Sequence, residues 1–115
     1  MERNEAASGF ILELRRGTIT LCVLSKLRTK AYGYSLVSEL EKSGIPVEAN
    51  TLYPMLRRLE SQGLLKSAWN TDAAKPRKYY QTTELGEQTL NILKKNWQDT
   101  VLCMKNILEG STDEQ

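Results

Sequence analysis

The stretch Asn50–Leu65, NTLYPMLRRLESQGLL, has the pattern of a short amphipathic helix with a defined end. Leu52, Leu56 and Leu59 follow one another at four- and three-residue spacing, which places them on one face of a helix. Basic residues lie toward the other side, and Gly63 suits the position just past a helix end. This pattern fits a DNA-reading helix and fits an ordinary surface helix equally well, so the surrounding sequence must distinguish the two.

Positive charge is concentrated around this helix. The 115-residue chain has a net charge of only +2, which is too small to identify a partner. Between Asn50 and Tyr80, however, six basic residues and two acidic ones give +4, so the rest of the chain carries −2. The basic residues are Arg57, Arg58, Lys66, Lys75, Arg77 and Lys78. Such a local concentration is expected where a segment contacts phosphates.

Length and composition indicate a single globular domain. The chain is long enough for one modest core, and its 40% hydrophobic and 26% charged content is ordinary for such a domain. No apolar run approaches the roughly 18 residues that a membrane span requires. The N-terminal sequence MERNEAAS lacks the apolar core of a signal peptide. We therefore expect a cytoplasmic protein without membrane association.

The residues needed for catalysis are missing. The chain has no histidine, no recognisable nucleophile–base pair, no phosphate-binding loop and no metal-ligand cluster. Its two cysteines, Cys22 and Cys103, match no metal-ligand spacing. We expect both to be buried small apolar residues, with a redox switch between them as the minor alternative. The sequence predicts no enzyme, no catalytic residue, no cofactor and no metal.

Two helices are predicted before the opening stretch. The first covers about Phe10–Arg28, which is rich in Ile, Leu and Val and contains no proline. Thr29–Tyr32 is expected to be a connector. The second helix covers about Tyr34–Lys42, and it ends at Ser43-Gly44 because Pro46 prevents continuation.

A third helix and a β-hairpin follow. The helix is expected to begin within residues 48–51, with Pro54 near its first turn, where a missing N–H does least harm. Leu64–Trp69 and Arg77–Thr83 alternate roughly between aromatic and polar residues, as half-buried strands do. The polar segment 70–76 between them indicates a turn. This pattern predicts a hairpin with a basic tip.

The last helix is predicted to open at Thr82 or Thr83 and to continue to Leu108, a length of about 25 residues and about 37 Å. Its apolar residues are spaced as in a coiled coil, and they are Leu90, Leu93, Trp97, Val101, Met104 and Leu108. A helix of this length extends beyond a three-helix core and its hairpin. We therefore expect a second copy of the chain to cover part of this apolar row, and the tail Gly110–Gln115 to be frayed.

The order of elements predicts a mainly α fold with a small β-hairpin. Two short helices joined by a tight turn suggest a helix-turn-helix, and the basic hairpin behind them suggests a wing. Residues 1–83 are expected to form a winged helix-turn-helix DNA-binding domain, whose first helix also contributes to the dimer. Residues 84–109 are expected to form a long C-terminal dimerisation helix, and residues 110–115 a disordered tail.

Several sequence blocks resemble the PadR family of transcriptional regulators. The blocks are Tyr32-Gly33-Tyr34, Thr51-Leu52-Tyr53-Pro54, Arg58-Leu59-Glu60, Gly63-Leu64, Arg77-Lys78-Tyr79-Tyr80 and Thr83-Glu84-Leu85-Gly86. The resemblance covers about Leu14–Leu108. The tryptophan in the middle of the last helix, Trp97, makes the chain similar to the short subfamily, which has multidrug-binding members. It implies a homodimeric winged-helix repressor of a pseudo-palindromic double-stranded DNA operator. It also implies release by a small, hydrophobic or aromatic effector at the dimer interface.

The candidate DNA contacts lie on the third helix and the hairpin, and they are Asn50, Thr51, Tyr53, Pro54, Arg57, Lys75, Arg77 and Lys78. On the helix, Thr51, Tyr53 and Arg57 are expected to face outward. Asn50 and Thr51 also fit a capping role, since helix N-termini bind anions as well. The hairpin cations are expected to contact phosphates. The alternative is a solvated face, with Arg58 paired to Glu60 or to a hairpin residue.

The candidate ligand and dimer contacts are Trp97, Leu93, Val101, Met104, Leu14 and Thr18. The residues alone leave open whether Trp97 is dimer core or a platform on which planar molecules stack. A different class of function also stays open, namely a winged-helix protein-interaction module that does not read DNA sequence. The concentrated charge around the third helix argues against that alternative.

Overall fold

Three helices enclose the core, and a small sheet and a long fourth helix extend from it. The computed structural model describes residues 2–72 and 74–110, and for residues 2–4 it describes the backbone alone. The elements are α1 (Glu2–Lys26), β1 (Ala31–Tyr32), α2 (Gly33–Lys42), α3 (Ala49–Ser61), β2 (Leu65–Asn70), β3 (Arg77–Thr82) and α4 (Glu84–Leu108). No helix in this part of the chain is long and apolar enough to cross a membrane.

The core forms where the apolar faces of α1, α2 and α3 meet. Its fully buried residues are Val23 and Leu24 of α1, Leu27 just after α1, Leu36 and Leu40 of α2, and Leu52 and Leu56 of α3. The core is completed by Ile19, Met55, Leu59, Leu65, Tyr80 and Leu90. The prediction that Leu52, Leu56 and Leu59 share one face of a helix is confirmed, and this face of α3 is buried in the core. Burial of side chains of this size contributes about 1.5–3 kcal/mol each.

Glycines end both helices of the helix-turn-helix. Gly44, after α2, has φ +89°, and Gly63, after α3, has φ +81°, a conformation that side chains rarely adopt. After α3 the Leu64 N–H donates to the Leu59 carbonyl at 2.9 Å and the Gly63 N–H to the Glu60 carbonyl at 3.0 Å. This pair of bonds is a Schellman motif, so Gly63 ends the helix as its position predicts.

The hairpin is confirmed, but the sheet has a third strand. β2 and β3 pair antiparallel from Leu65↔Thr82 to Asn70↔Arg77. The connector predicted at Thr29–Tyr32 is wrong in part, because Ala31 and Tyr32 form β1 and pair with Tyr80 and Tyr79 of β3. The strand order is β1-β3-β2. A two-residue strand has no periodicity of its own, since it is specified by its partner.

The start of α1 differs from its prediction, whereas the start of α3 agrees with it. α1 begins at Glu2 and not near Phe10, because the proline-free segment before Phe10 contains Glu5, Ala6 and Ala7, which favour a helix without showing apolar periodicity. α3 begins at Ala49, within the predicted range 48–51, with Glu48 as its N-cap and no side-chain capping bond. The capping role considered for Asn50 and Thr51 is therefore wrong, because both residues lie within the first turn. Pro54 lies at the start of the second turn of α3, next to the first turn as predicted.

The start of α4 follows the prediction. Thr83 is the N-cap, its Oγ1 accepts from the Gly86 N–H at 3.0 Å, and its hydroxyl donates to the Gly63 carbonyl at 2.7 Å. Leu90 is buried and Leu93 half-buried, whereas every later residue of the helix is exposed in the single chain. The expected frayed tail falls mostly on residues 111–115, which lie outside the described residues.

Candidate nucleic-acid interface

The recognition helix α3 presents a polar surface opposite the core. Asn50, Thr51, Pro54 and Arg57 are all exposed. Tyr53 differs from its prediction, because it is half-buried and packs against the first residue of α2. A Cβ added at Gly33 would lie 2.7 Å from Tyr53 Cε1, so this approach requires glycine. The phenol of Tyr53 therefore contributes to the junction between α2 and α3 as well as to the outer surface.

We call the hairpin from Leu65 to Thr82 the wing. Its basic side chains differ in exposure and in contacts. Lys75 is exposed close to the tip. Lys78 is half-buried, with Nζ 3.8 Å from Glu60 Oε1 on α3 and 5.5 Å from the centre of the Tyr80 ring. Glu60 also accepts a hydrogen bond from the Ser67 hydroxyl. The pair that sequence reasoning considered for Arg58 is thus made by Lys78, which connects the wing to the recognition helix.

Arg77 is held by the start of α2. Its Nη1 donates to the Tyr34 hydroxyl at 2.6 Å, and its Cζ lies 5.2 Å from the Tyr34 ring centre and 5.7 Å from that of Tyr32. The two rings are stacked, with centres 5.8 Å apart and planes at 13°. Asn70, which pairs with Arg77 across the wing, donates from Nδ2 to the Tyr32 hydroxyl at 2.6 Å.

A cavity of about 290 Å³ opens where the wing, the recognition helix and the start of α2 meet. We call it the wing notch, and its lining residues are Tyr32, Gly33, Tyr34, Tyr53, Trp69, Arg77, Lys78 and Tyr80. It brings together three of the predicted DNA contacts, Tyr53, Arg77 and Lys78. The other five, Asn50, Thr51, Pro54, Arg57 and Lys75, are exposed outside it.

Tyr32, Tyr34, Trp69 and Asn70 line or support this site and were absent from the predicted contacts. The only sequence signal for the first two was the Tyr-Gly-Tyr block, which marked the family without indicating a role. Of the two adjacent wing tyrosines, Tyr80 is buried in the core and Tyr79 is half-buried.

A second cavity, of about 510 Å³, lies between α1 and the C-terminal half of α4. Five of the six predicted ligand or dimer residues line this α1–α4 groove, namely Leu14, Thr18, Trp97, Val101 and Met104, together with Thr100, Lys105, Leu108 and Glu109. Leu93, the sixth, is half-buried against the core and does not line it. Trp97 is 47% exposed in the protomer. The groove is open and largely apolar, with one cation and one carboxylate at its edge.

The two cysteines occupy different environments. Cys22 is half-buried on α1, and burial raises the pKa of its thiol, with the charge of Lys26 acting in the opposite direction. Cys103 is exposed on α4, so the prediction that it is buried is wrong for the protomer. All residues of this segment of α4 are exposed in the single chain, which a residue-by-residue prediction of burial does not take into account.

Comparison with known proteins agrees with this architecture. A family model described as the transcriptional regulator PadR-like family matches residues 21–92. The chain is 34% identical over 79 residues to the transcriptional regulator Rv3488 of Mycobacterium tuberculosis, an alignment that covers 68% of this chain and 74% of that one.

Solved structures agree with it as well. A PadR family regulator from Eggerthella lenta is 50% identical, with a TM-score of 0.91, and the match covers 95% of this chain and 97% of the other. A PadR family regulator from Clostridium difficile is 30% identical, with a TM-score of 0.72 and coverage of 79% and 98%. These relatives are transcriptional regulators and not enzymes. With its winged helix-turn-helix and a family match across most of its length, the chain belongs to the PadR-like family of transcriptional regulators.

Proposed function

We propose that this protein is a homodimeric repressor that binds a pseudo-palindromic double-stranded DNA operator and is released by a small hydrophobic or aromatic ligand. The observation that carries the proposal is the wing notch. There, residues of the recognition helix and of the wing share one surface, with Arg77 and Lys78 beside Tyr53. A surface formed by both elements suits a recognition helix in the major groove and a wing on the adjacent backbone.

The exposed apolar surface of α1 and α4 is the evidence for the proposed dimer. On α4, Trp97, Val101, Met104 and Leu108 are exposed at the coiled-coil spacing. On α1, Phe10, Ile11, Leu12 and Leu14 are exposed as well. An apolar surface that extends over two helices is unfavourable in water and is characteristic of an interface. A second copy of this chain presents the same surface and covers it in a two-fold arrangement.

The α1–α4 groove is the evidence for the proposed binding of a ligand. It lies on the same uncovered surface, and the indole of Trp97 forms part of its wall beside Leu14 and Met104. A planar hydrophobic molecule fits such a groove, because stacking on an indole needs few polar partners. Closing the dimer over this groove would enclose a bound molecule between the subunits.

A gel-shift titration at physiological salt tests DNA binding, with the DNA upstream of the gene that encodes this protein as the probe. We expect wild type to prefer this DNA over random sequence of equal length. Arg57→Ala combined with Arg77→Ala should abolish the specific complex, because it removes one cation from the recognition helix and one from the wing. Sedimentation should show an unchanged dimer.

The matched control is Lys94→Ala, which removes a charge from an exposed position of α4 away from the wing. Its complex should be as stable as that of wild type. Equal binding of random DNA by wild type would refute the repressor and favour a protein-interaction module. Unchanged affinity of the double variant would refute the placement of the DNA-binding face.

A further inference from the structure

Hydrogen bonds from both strands of the wing, close to its tip, join it to the junction between β1 and α2. Arg77 of β3 donates to the Tyr34 hydroxyl, and Asn70 of β2 donates to the Tyr32 hydroxyl, each at 2.6 Å. Asn70 and Arg77 form the last pair of the β2–β3 ladder. The Asn70 Oδ1 also accepts from the Asp72 N–H at 3.0 Å, which turns the chain out of the strand.

These contacts constrain Arg77 in particular. An exposed arginine side chain ordinarily has many rotamers, and ordering it on binding opposes the association. Here the guanidinium lies over two stacked tyrosine rings and makes a hydrogen bond to one of them. A guanidinium has five N–H donors in a planar fork, so the bond to Tyr34 leaves others to contact a phosphate.

We propose that Tyr32, Tyr34 and Asn70 are positioning residues that form a latch for Arg77. The latch holds the wing at a fixed angle to α2 and α3 before DNA arrives. The recognition helix and the wing then meet the operator as one preorganised surface, and the ordering of Arg77 is not a cost of binding. This inference rests on the proposed DNA-binding function, whereas the latch itself is a property of the free protein.

The variant that tests the latch is Tyr34→Phe, which removes the hydroxyl and keeps the ring. The matched control is Tyr79→Phe on β3, since none of the hydrogen bonds found among the described residues involves that hydroxyl. In the free protein, ¹⁵N relaxation of the Arg77 Nε–H group reports its mobility. We expect Tyr34→Phe to increase this mobility and Tyr79→Phe to leave it unchanged, with the same thermal unfolding midpoint for both.

Operator binding then tests what the latch does. We expect Tyr34→Phe to weaken operator binding about five-fold, because the freed Arg77 side chain must then be ordered when it meets the DNA. In an Arg77→Ala background, Tyr34→Phe should cause no further loss, because the hydroxyl acts only through Arg77. Arg77→Ala should lower the salt dependence of binding by about one ion per subunit, or about two per dimer, and Tyr34→Phe should leave it unchanged.

The possible failures are distinguishable. An unchanged Arg77 mobility in Tyr34→Phe would overturn the latch, whatever the DNA result. An equal loss of affinity from Tyr34→Phe with and without Arg77 would also overturn it, because the hydroxyl would then contact DNA directly. If wild type prefers no operator, the proposed function fails and the positioning role fails with it, while the relaxation result still decides whether the latch exists.

Discussion

At the scale of single residues, Trp97 connects the apolar row of α4 to the α1–α4 groove. Its side chain is half-exposed in the protomer, and Leu14 and Thr18 of α1 line the same groove. Dimer packing and ligand stacking are therefore compatible roles for one indole. A dimer that buried the indole completely would leave no platform for a ligand. A measurement of whether added compounds reach the indole separates the two roles.

The fluorescence of a Trp69→Phe variant provides this measurement. The chain has only two tryptophans, so the variant reports on Trp97 alone. We expect a planar aromatic compound such as acridine to quench Trp97 saturably in this variant. Trp97→Ala should weaken binding about ten-fold through the lost stacking and apolar contact. The Trp69→Phe variant is also the control, because Trp69 lies on the wing and its replacement should not change the affinity. An absence of quenching at any concentration would refute the ligand site.

At the scale of elements, the join between α4 and the sheet depends on close packing of backbone on backbone. Gly86 lies in the first turn of α4 directly against Leu64, whose carbonyl also accepts from the Thr83 N–H at 3.1 Å. A Cβ at this position would collide with the Leu64 carbonyl oxygen and lie 2.7 Å from Thr82 Cγ2. The backbone is fixed there by strand pairing and by the Thr83 cap, so it has little freedom to move away.

Gly86→Ala should therefore lower the free energy of unfolding by about 2–3 kcal/mol, as overpacking of a fixed site does. Gly17→Ala is the matched control, because an added Cβ meets nothing within 4 Å at that helical position of the protomer. It should raise stability by about 0.5–1 kcal/mol through better helix propensity. Urea unfolding measures both. If Gly86→Ala and wild type were equally stable, the backbone at the junction between α4 and the sheet would be able to shift and accommodate the added Cβ at little cost.

Elements with local signals could be predicted from the sequence. The apolar spacing of α3, the glycine at its end, the alternation in β2 and β3 and the Thr83 cap all act over a few residues. β1 has no such signal, because its pairing with Tyr79 and Tyr80 comes from distant sequence. The same holds within the site. The latch joins residues 43 and 38 positions apart, Arg77 to Tyr34 and Asn70 to Tyr32, so no spacing rule finds it.

The inward position of Tyr53 has a similar cause. Helical periodicity places it beside Arg57 on the outer part of α3, and on that basis it was expected to face outward. Gly33, twenty residues earlier in the chain, offers a surface without a side chain, and the phenol packs there. Which way an aromatic side chain at the edge of a helical face turns depends on the neighbouring helix. Periodicity within one helix does not contain that information.

At the scale of the whole molecule, the protomer measures 64 × 38 × 22 Å, which is elongated for its size. The length comes from α1 and α4, whose outer segments extend away from the three-helix core. In one copy alone, the apolar residues of those segments are exposed to solvent. In the proposed dimer they become the centre of the assembly, and the recognition helices lie on either side of it. The two winged helices then have a separation set by this central packing.

A fixed separation between the two winged helices requires a fixed spacing between the half-sites of the operator. In a two-fold dimer that reads successive major grooves, the recognition helices are about 34 Å apart, so the half-sites are about ten base pairs apart. Inserting five base pairs between them moves one half-site to the opposite side of the duplex. Affinity should then fall to that of a single half-site, because bending or twisting DNA so far costs several kcal/mol.

The control operator has its central base pairs replaced at constant length, which keeps the separation and should bind nearly as well as the natural site. Footprinting and gel-shift titration measure both operators. An affinity that is indifferent to the insertion would mean that the two winged helices move independently. That result would contradict the rigid central packing of α1 and α4, because a flexible connection is the only way for one dimer to serve both spacings.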